Sequence, residues 1–260
     1  MIKINGEIVD INYFPDGTFR LEIETKGRSA EIQWLFEKNE ELFALYLITN
    51  HLREIYKIEE IIFKMPYIPN ARMDRVKHQN EVFTLKYFCE FINSMNFNKV
   101  VVRDAHSNVS LALLNNVVSE EIFEKIKSLA NKLLLNDDDL VFFPDEGASK
   151  RYAECIKKKS VFGIKKRNWE TGKIEGLDVY GDIPENGFNV LIIDDISSYG
   201  GTFYHSAKRL KELGAEKIWL YVTHCENSIL DGELIKSNLI NKIYTTESIF
   251  TKEHKMIEII

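Results

Sequence analysis

The sequence predicts an α/β protein of two similar halves, each a mostly parallel, doubly wound sheet with flanking helices. Three observations predict it. The run Val190-Leu191-Ile192-Ile193 is apolar throughout and bounded by turn signals, as a strand buried on both faces is. The shorter runs Ile61-Ile62-Phe63, 99–102 and 140–143 also read as strands, and each leads into a polar loop. The order strand, polar loop, helix, strand, polar loop then recurs in the second half, which is the arrangement that places ligands at the carboxyl ends of strands.

In chain order, residues 1–35 read as antiparallel strands at 8–11, 19–23 and 30–36, with Phe14-Pro15-Asp16-Gly17-Thr18 as the hairpin turn. An amphipathic pattern with Leu42, Leu45, Tyr46, Leu52 and Ile55 predicts a helix over 39–56, and a strand follows at 57–65. The loop 66–75 precedes a helix at 83–95 and the strand 99–102, which ends in Arg103-Asp104-Ala105-His106-Ser107. The turn Asn136-Asp137-Asp138-Asp139 divides the halves, giving domains of 1–135 and 136–260. Beyond it come the strand 140–143, a loop opening a helix at 144–151, and the strand 160–164 ending in Lys165-Lys166-Arg167. A polar, mobile stretch is expected from there to about Asp182. The strand at 188–193, a helix over 203–213 closed by Gly214, and the strand 217–222 with His224 at its end complete the second half.

The 260 residues suffice for one or two domains, and 45% hydrophobic with 28% charged residues describes a soluble globular chain. A net charge of −6 argues against bulk nucleic-acid binding, while a few local cations still suit a small anionic substrate. Three cysteines (Cys89, Cys155, Cys225), widely spaced and without Cys-x-x-Cys, predict reduced thiols and no zinc site. With no signal segment and no apolar run near 18 residues, a cytoplasmic protein without a membrane partner is expected, host cytoplasm included if the source is viral.

The most informative stretch is Asp194-Asp195-Ile196-Ser197-Ser198-Tyr199-Gly200-Gly201-Thr202. A strand, a small-residue loop and a helix N-terminus form a phosphate site, because the first helical N–H groups point outward and the dipole favours an anion. Gly200 and Gly201 allow close approach of an oxyanion, and Thr202 is expected to cap the helix. Asp194 and Asp195 suit sugar hydroxyls, or a metal ion bridging to a diphosphate. This stretch resembles the ribose-phosphate-binding signature of the phosphoribosyltransferase superfamily, and the resemblance implies that fold for both halves.

Five segments in order along nearly the whole chain resemble the ribose-phosphate diphosphokinase (PRPP synthetase) family. Singly, Lys165-Lys166-Arg167 is a solvated charge run, and His106 a hydrogen-bonded structural histidine. Together the resemblance implies roles. Phe14 and Asp16 lie in a hairpin that helps hold the ATP base and is supplied by a neighbouring subunit, hence a homo-oligomer. Arg72 and Asp74 lie in the ATP loop. His106 reaches the metal–ATP complex, and Asp145, Glu146 and Gly147 form the diphosphate loop. Asp145 and His106 are the metal-contacting residues, and Lys165 and Arg167 the catalytic pair. Asp194, Asp195, Ser197, Ser198, Tyr199, Gly200, Gly201 and Thr202 hold the ribose phosphate. The implied cofactor is Mg²⁺, with ATP as co-substrate. The expected reaction moves the β,γ-diphosphate of ATP to the 1-hydroxyl of ribose 5-phosphate.

Ser198 and Tyr199 replace an Asp-Thr of the family loop, Thr18 replaces a glutamate and Met73 a glutamine. Two alternatives therefore accompany the main reading: the same chemistry on ADP-ribose, as in phage-type relatives, and a catalytically silent regulatory relative.

Overall fold

The computed structural model describes residues 1–167 and 174–260. The chain folds into two compact units, Met1–Glu121 and Ile122–Ile260.

The first unit opens with β1 (Ile2–Ile4) and β2 (Glu7–Ile8), followed by β3 (Ile11–Tyr13) and β4 (Phe19–Leu21). Next come β5 (Ser29–Trp34), α1 (Glu41–Glu54), β6 (Glu60–Lys64), α2 (Thr84–Ser94), β7 (Lys99–Arg103), α3 (Asn108–Leu113) and β8 (Val117–Glu120). The sheet order is β2-β1-β5-β6-β7-β8, parallel from β5 to β8, while β3 and β4 form a separate two-stranded ladder. The single strand expected at 8–11 is therefore two strands in two sheets. Asn5 (φ 50°) and Gly6 (φ 89°) supply the tight turn between β1 and β2, which leaves β2 ending at Ile8. One core cluster forms where Ile32, Trp34, Ile61, Phe63, Val100 and Val102 meet the apolar stripes of α1 (Ala44, Leu45, Ile48, Leu52) and α2 (Leu85, Phe88, Cys89, Ile92). Glu41 is buried there because its carboxylate accepts the Trp34 indole N–H at 2.9 Å.

The second unit contains α4 (Phe123–Leu133), β9 (Leu140–Phe143), α5 (Glu146–Tyr152), β10 (Ser160–Arg167), β11 (Ile174–Tyr180), β12 (Phe188–Ser197), α6 (Gly201–Glu212), β13 (Ala215–Cys225), α7 (Glu233–Lys236), β14 (Lys242–Thr245) and β15 (Ile257–Ile259). Its sheet order is β11-β10-β9-β12-β13-β14-β15, with every pair parallel except β10–β11. Both faces are covered, which explains the uninterrupted apolar runs. Phe142, Val190, Ile192 and Leu220 face α6 through Phe203, Ala207 and Leu210. Val141, Phe143, Leu191 and Ile193 face α4 and α5 through Ile126, Leu129, Ala148 and Tyr152.

Three expectations are corrected. The division lies at 121/122 and not at the Asn136 turn, because Ile126, Leu129, Ala130 and Leu134 of the α4 region belong to the second unit's core. The stretch expected to be a mobile connection is in its described parts a β-hairpin: β10 runs on to Arg167 and pairs with β11 from Phe162↔Tyr180 to Arg167↔Ile174. The expected mobility at 168–173 lies outside the described residues. Thr202 is not the cap, since α6 starts two residues earlier with Gly200 at the N-cap position.

Candidate active site

In the second unit the carboxyl ends of β9 and β12 bring acids together. Asp145 is the N-cap of α5, and its Oδ1 accepts the Ala148 N–H at 3.1 Å. On β12 the Asp194 carboxylate accepts the Asp195 N–H at 2.9 Å. Burial, then the negative charges of Asp195 and Asp145, push the Asp194 carboxyl well above the usual aspartate range. Arg151, at the last turn of α5, places Nη1 3.4 Å from Asp195 Oδ2 and supplies a counter-charge. Sequence reasoning misses Arg151 as a site residue. It closes the motif run that begins at Pro144, but only the fold brings the end of α5 to β12. Glu146 faces outward and pairs with Lys150 at 2.6 Å.

Beyond the acids, the Ser197 hydroxyl donates to the Ser198 carbonyl at 3.3 Å, Tyr199 is 64% exposed, and Gly200 turns the chain with φ 76°. The first intrahelical bond of α6 runs from the Tyr204 N–H to the Gly200 carbonyl at 2.9 Å. The N–H groups of Gly201, Thr202 and Phe203 thus have no helical acceptor, the arrangement by which a helix N-terminus can take an anion. Gly201 itself borders open space, with nothing within 4 Å of a Cβ built on it. Lys165 and Arg167 lie on β10, opposite Leu177 and Ile174 of β11.

In the first unit the loops after β6 and β7 are joined by Asp74. Arg75 Nε donates to its Oδ1 at 2.8 Å, and the Ser107 hydroxyl also bonds to this carboxylate. With the charge of His106 nearby, these partners hold the Asp74 carboxyl below the usual range, against a smaller opposing effect of burial. The Ser107 hydroxyl oxygen in turn accepts the Val109 N–H at 3.1 Å as the N-cap of α3. Ser107 belongs to the Asp-x-His-Ser segment but escapes sequence reasoning as a site residue; its place two positions before the capped amide is the available signal. Arg72 is exposed in the same loop as Asp74. In the β3–β4 hairpin Phe14 is 50% exposed, while Asp16 Oδ1 accepts the Thr18 N–H at 3.0 Å and its hydroxyl at 2.7 Å. Both bonds hold the Asp16 carboxyl below its usual range, so this side chain shapes the turn.

The donor set suits Mg²⁺: Asp145, Asp194 and Asp195 are hard oxygen donors whose mutual repulsion a divalent cation relieves. Among the described residues no group of three or more His, Cys, Asp or Glu side chains cages a metal unaided, and Mg²⁺ commonly takes one or two carboxylates with substrate oxygens completing its shell. No helix among the described residues is long and apolar enough to cross a membrane.

A parallel sheet ending in an acidic pair, a helix-capping aspartate and a glycine turn at a helix N-terminus defines an α/β protein with a site suited to a phosphorylated ligand. The solved structure of phosphoribosylpyrophosphate synthetase from Mycobacterium smegmatis matches with a TM-score of 0.79, covering 97% of this chain and 85% of that one at 16% identity. Ribose-phosphate pyrophosphokinase from Pyrococcus abyssi is 29% identical over 262 residues, covering 95% of this chain and 86% of the relative. The enzyme of that name from Pyrococcus furiosus is 29% identical over 260 residues, covering 95% and 88%. No protein-family model matches the chain. The chain is homologous along nearly its whole length to the ribose-phosphate pyrophosphokinases, a family of diphosphotransferase enzymes.

Proposed function

We propose that the protein transfers the β,γ-diphosphate of ATP to the anomeric 1-hydroxyl of ribose 5-phosphate, releasing AMP and requiring Mg²⁺. One observation carries the reading: three mutually repelling carboxylates, Asp145, Asp194 and Asp195, lie at strand ends in the unit that also presents the open N-terminus of α6.

The 5-phosphate is bound by the N–H groups of the turn at Gly201 and Thr202, assisted by the Ser197 and Ser198 hydroxyls. Asp194 and Asp195 take the ribose hydroxyls and, with Asp145, the metal–diphosphate. Arg72, Asp74 and His106 serve ATP, and Phe14 and Asp16 sit in a hairpin offered to the adenine of a neighbouring copy, which makes the protein at least a dimer. The 1-hydroxyl oxygen attacks the β-phosphorus in line, the new O–P bond forms as the bond to the AMP oxygen breaks, and the hydroxyl loses its proton. Charge spreads over the transferring oxygens, so positioning and cations do most of the work. Lys165 supplies a point charge and Arg167 a planar fork for those oxygens. Mg²⁺, when bound, neutralises charge on the diphosphate.

Incubation with ATP, Mg²⁺ and ribose 5-phosphate, followed by AMP release, tests the reading. A second acceptor is favoured by one observation, the exposed Tyr199 ring at the phosphate turn, which suits stacking by an extended 5-substituent as in ADP-ribose. Running both acceptors in parallel separates the two, and absence of AMP with either defeats the diphosphokinase reading in favour of a silent regulatory relative.

A further inference from the structure

The phosphate turn rests on a segment that lies some thirty residues later in the chain. After β13 the backbone forms a 3₁₀ turn at Asn227–Asp231, passes through Gly232, and enters α7. Gly232 has φ −77° and ψ 161°, which any residue adopts, so its backbone conformation does not demand glycine. Space does. A Cβ built on Gly232 would overlap the Tyr199 carbonyl oxygen and lie 2.8 Å from its carbonyl carbon and 3.3 Å from the Ile229 carbonyl oxygen. The next residue of the turn is also closely held, there by side-chain atoms. A Cβ on Gly200 would stand 3.0 Å and 3.1 Å from Leu234 Cδ2 and Cβ, and Ile229 and Leu234 are themselves fully buried.

This floor is fixed at several points. The Glu226 N–H donates to the Ser197 carbonyl at 2.8 Å. Asn227 Nδ2 donates to Thr251 Oγ1 at 2.8 Å, and the Thr251 N–H returns to Asn227 Oδ1 at 3.1 Å. Just before it, the Thr223 carbonyl accepts the hydroxyls of Thr245, Thr246 and Ser248 at 3.3, 2.8 and 3.3 Å. Volume added at 232 therefore displaces the Tyr199–Gly200 peptide, because close-packed and hydrogen-bonded neighbours resist moving.

We propose that Gly232 is a positioning residue for the phosphate turn, setting through the Tyr199 carbonyl the direction in which the Gly201 and Thr202 N–H groups point. Its effect on catalysis rests on the reading of the previous subsection, while its effect on the turn does not.

Gly232→Ala tests both levels. Expected are a rise of about tenfold or more in KM for ribose 5-phosphate, with KM for ATP and kcat changed less than about threefold, since a misaimed anion site weakens binding of that one substrate. Independently of turnover, hydrogen exchange at the amides of Tyr204 and Glu226, whose partners are Gly200 and Ser197, is expected to accelerate about tenfold or more while β9 amides stay unchanged. Leu234→Val, which trims the side chain beneath Gly200, is the milder variant and moves the same two readouts in the same direction if Gly232→Ala folds poorly. Unchanged exchange at Tyr204 and Glu226 in both variants overturns the proposal. Accelerated exchange in a protein whose wild type releases no AMP leaves the positioning role standing and refutes the diphosphokinase reading.

Discussion

Arg151 on α5 reaches β12 and holds Nη1 3.4 Å from Asp195 Oδ2, with the two side chains 26% and 10% exposed. It brings positive charge to an acidic cluster whose members repel one another. Truncating one member of a buried pair costs several kcal/mol, and partial exposure reduces that here to about 1–2 kcal/mol. Arg151→Ala is expected to lower the melting temperature and reduce kcat/KM about 100-fold, while Arg151→Lys retains the fold but not the fork geometry. Thermal melts and steady-state kinetics check this, and a variant with unaltered kcat/KM removes Arg151 from the site.

Asp194 makes a prediction with a definite sign. Its folded carboxyl binds a proton more tightly than in the unfolded chain, so stability falls as pH rises from the ordinary aspartate range through the raised value. Burial and the neighbouring acids disfavour the charged form, so Asp194→Asn is expected to raise the melting temperature at neutral pH by a few degrees. The same variant loses turnover. Mg²⁺ is expected to raise the wild-type melting temperature, with the increment shrinking on acidification, and melts with and without Mg²⁺ from about pH 5 to pH 8 read both effects. A lower melting temperature for the variant at neutral pH contradicts the account.

Asp74 works in the opposite sense. Arg75, Ser107 and the His106 charge hold its carboxyl low, so the stability it contributes is present above the ordinary aspartate range and is lost as pH falls through the lowered value. Asp74→Ala unties two loops of the first unit. KM for ATP is expected to rise about tenfold, the loss of one charge-assisted hydrogen bond, with KM for the acceptor unchanged. An equal rise in both constants rejects a role confined to ATP.

Arg167→Ala is expected to cost roughly 10³-fold in kcat, the size seen when a cation is withdrawn from a phosphoryl-transfer transition state. ATP binding, measured by calorimetry without acceptor, is expected to stay within about threefold. Undiminished kcat after the substitution sinks the catalytic assignment.

How much was legible in the sequence depended on how local the signal was. β12 and the turn after it were readable because a non-alternating run, two acids and two glycines each carry their meaning within a few residues. α6 starts two residues before the position its residue types suggest, since Gly200 reaches its αL conformation without a side-chain cap and leaves Thr202 inside the helix. The first strands are two or three residues long, too short to establish a period, and Asn5-Gly6 was the turn signal that mattered. The amphipathic stripe of α4 was visible as a stripe, but nothing in it says which sheet it covers. Arg151 and Asp195 are 44 positions apart and meet only because β9 and β12 are adjacent.

The β3–β4 hairpin shares no ladder with the six-stranded sheet. Phe19 stacks within the ribbon on Tyr13 at 5.3 Å and reaches out of it to Phe43 at 6.1 Å, while Ile11, Phe19 and Leu21 pack against the core of the first unit. A lone two-stranded ribbon is marginal in water. The ribbon consequently depends for its place on side chains rather than on shared backbone bonds, so Phe19→Ala is expected to weaken its docking more than it weakens the six-stranded sheet.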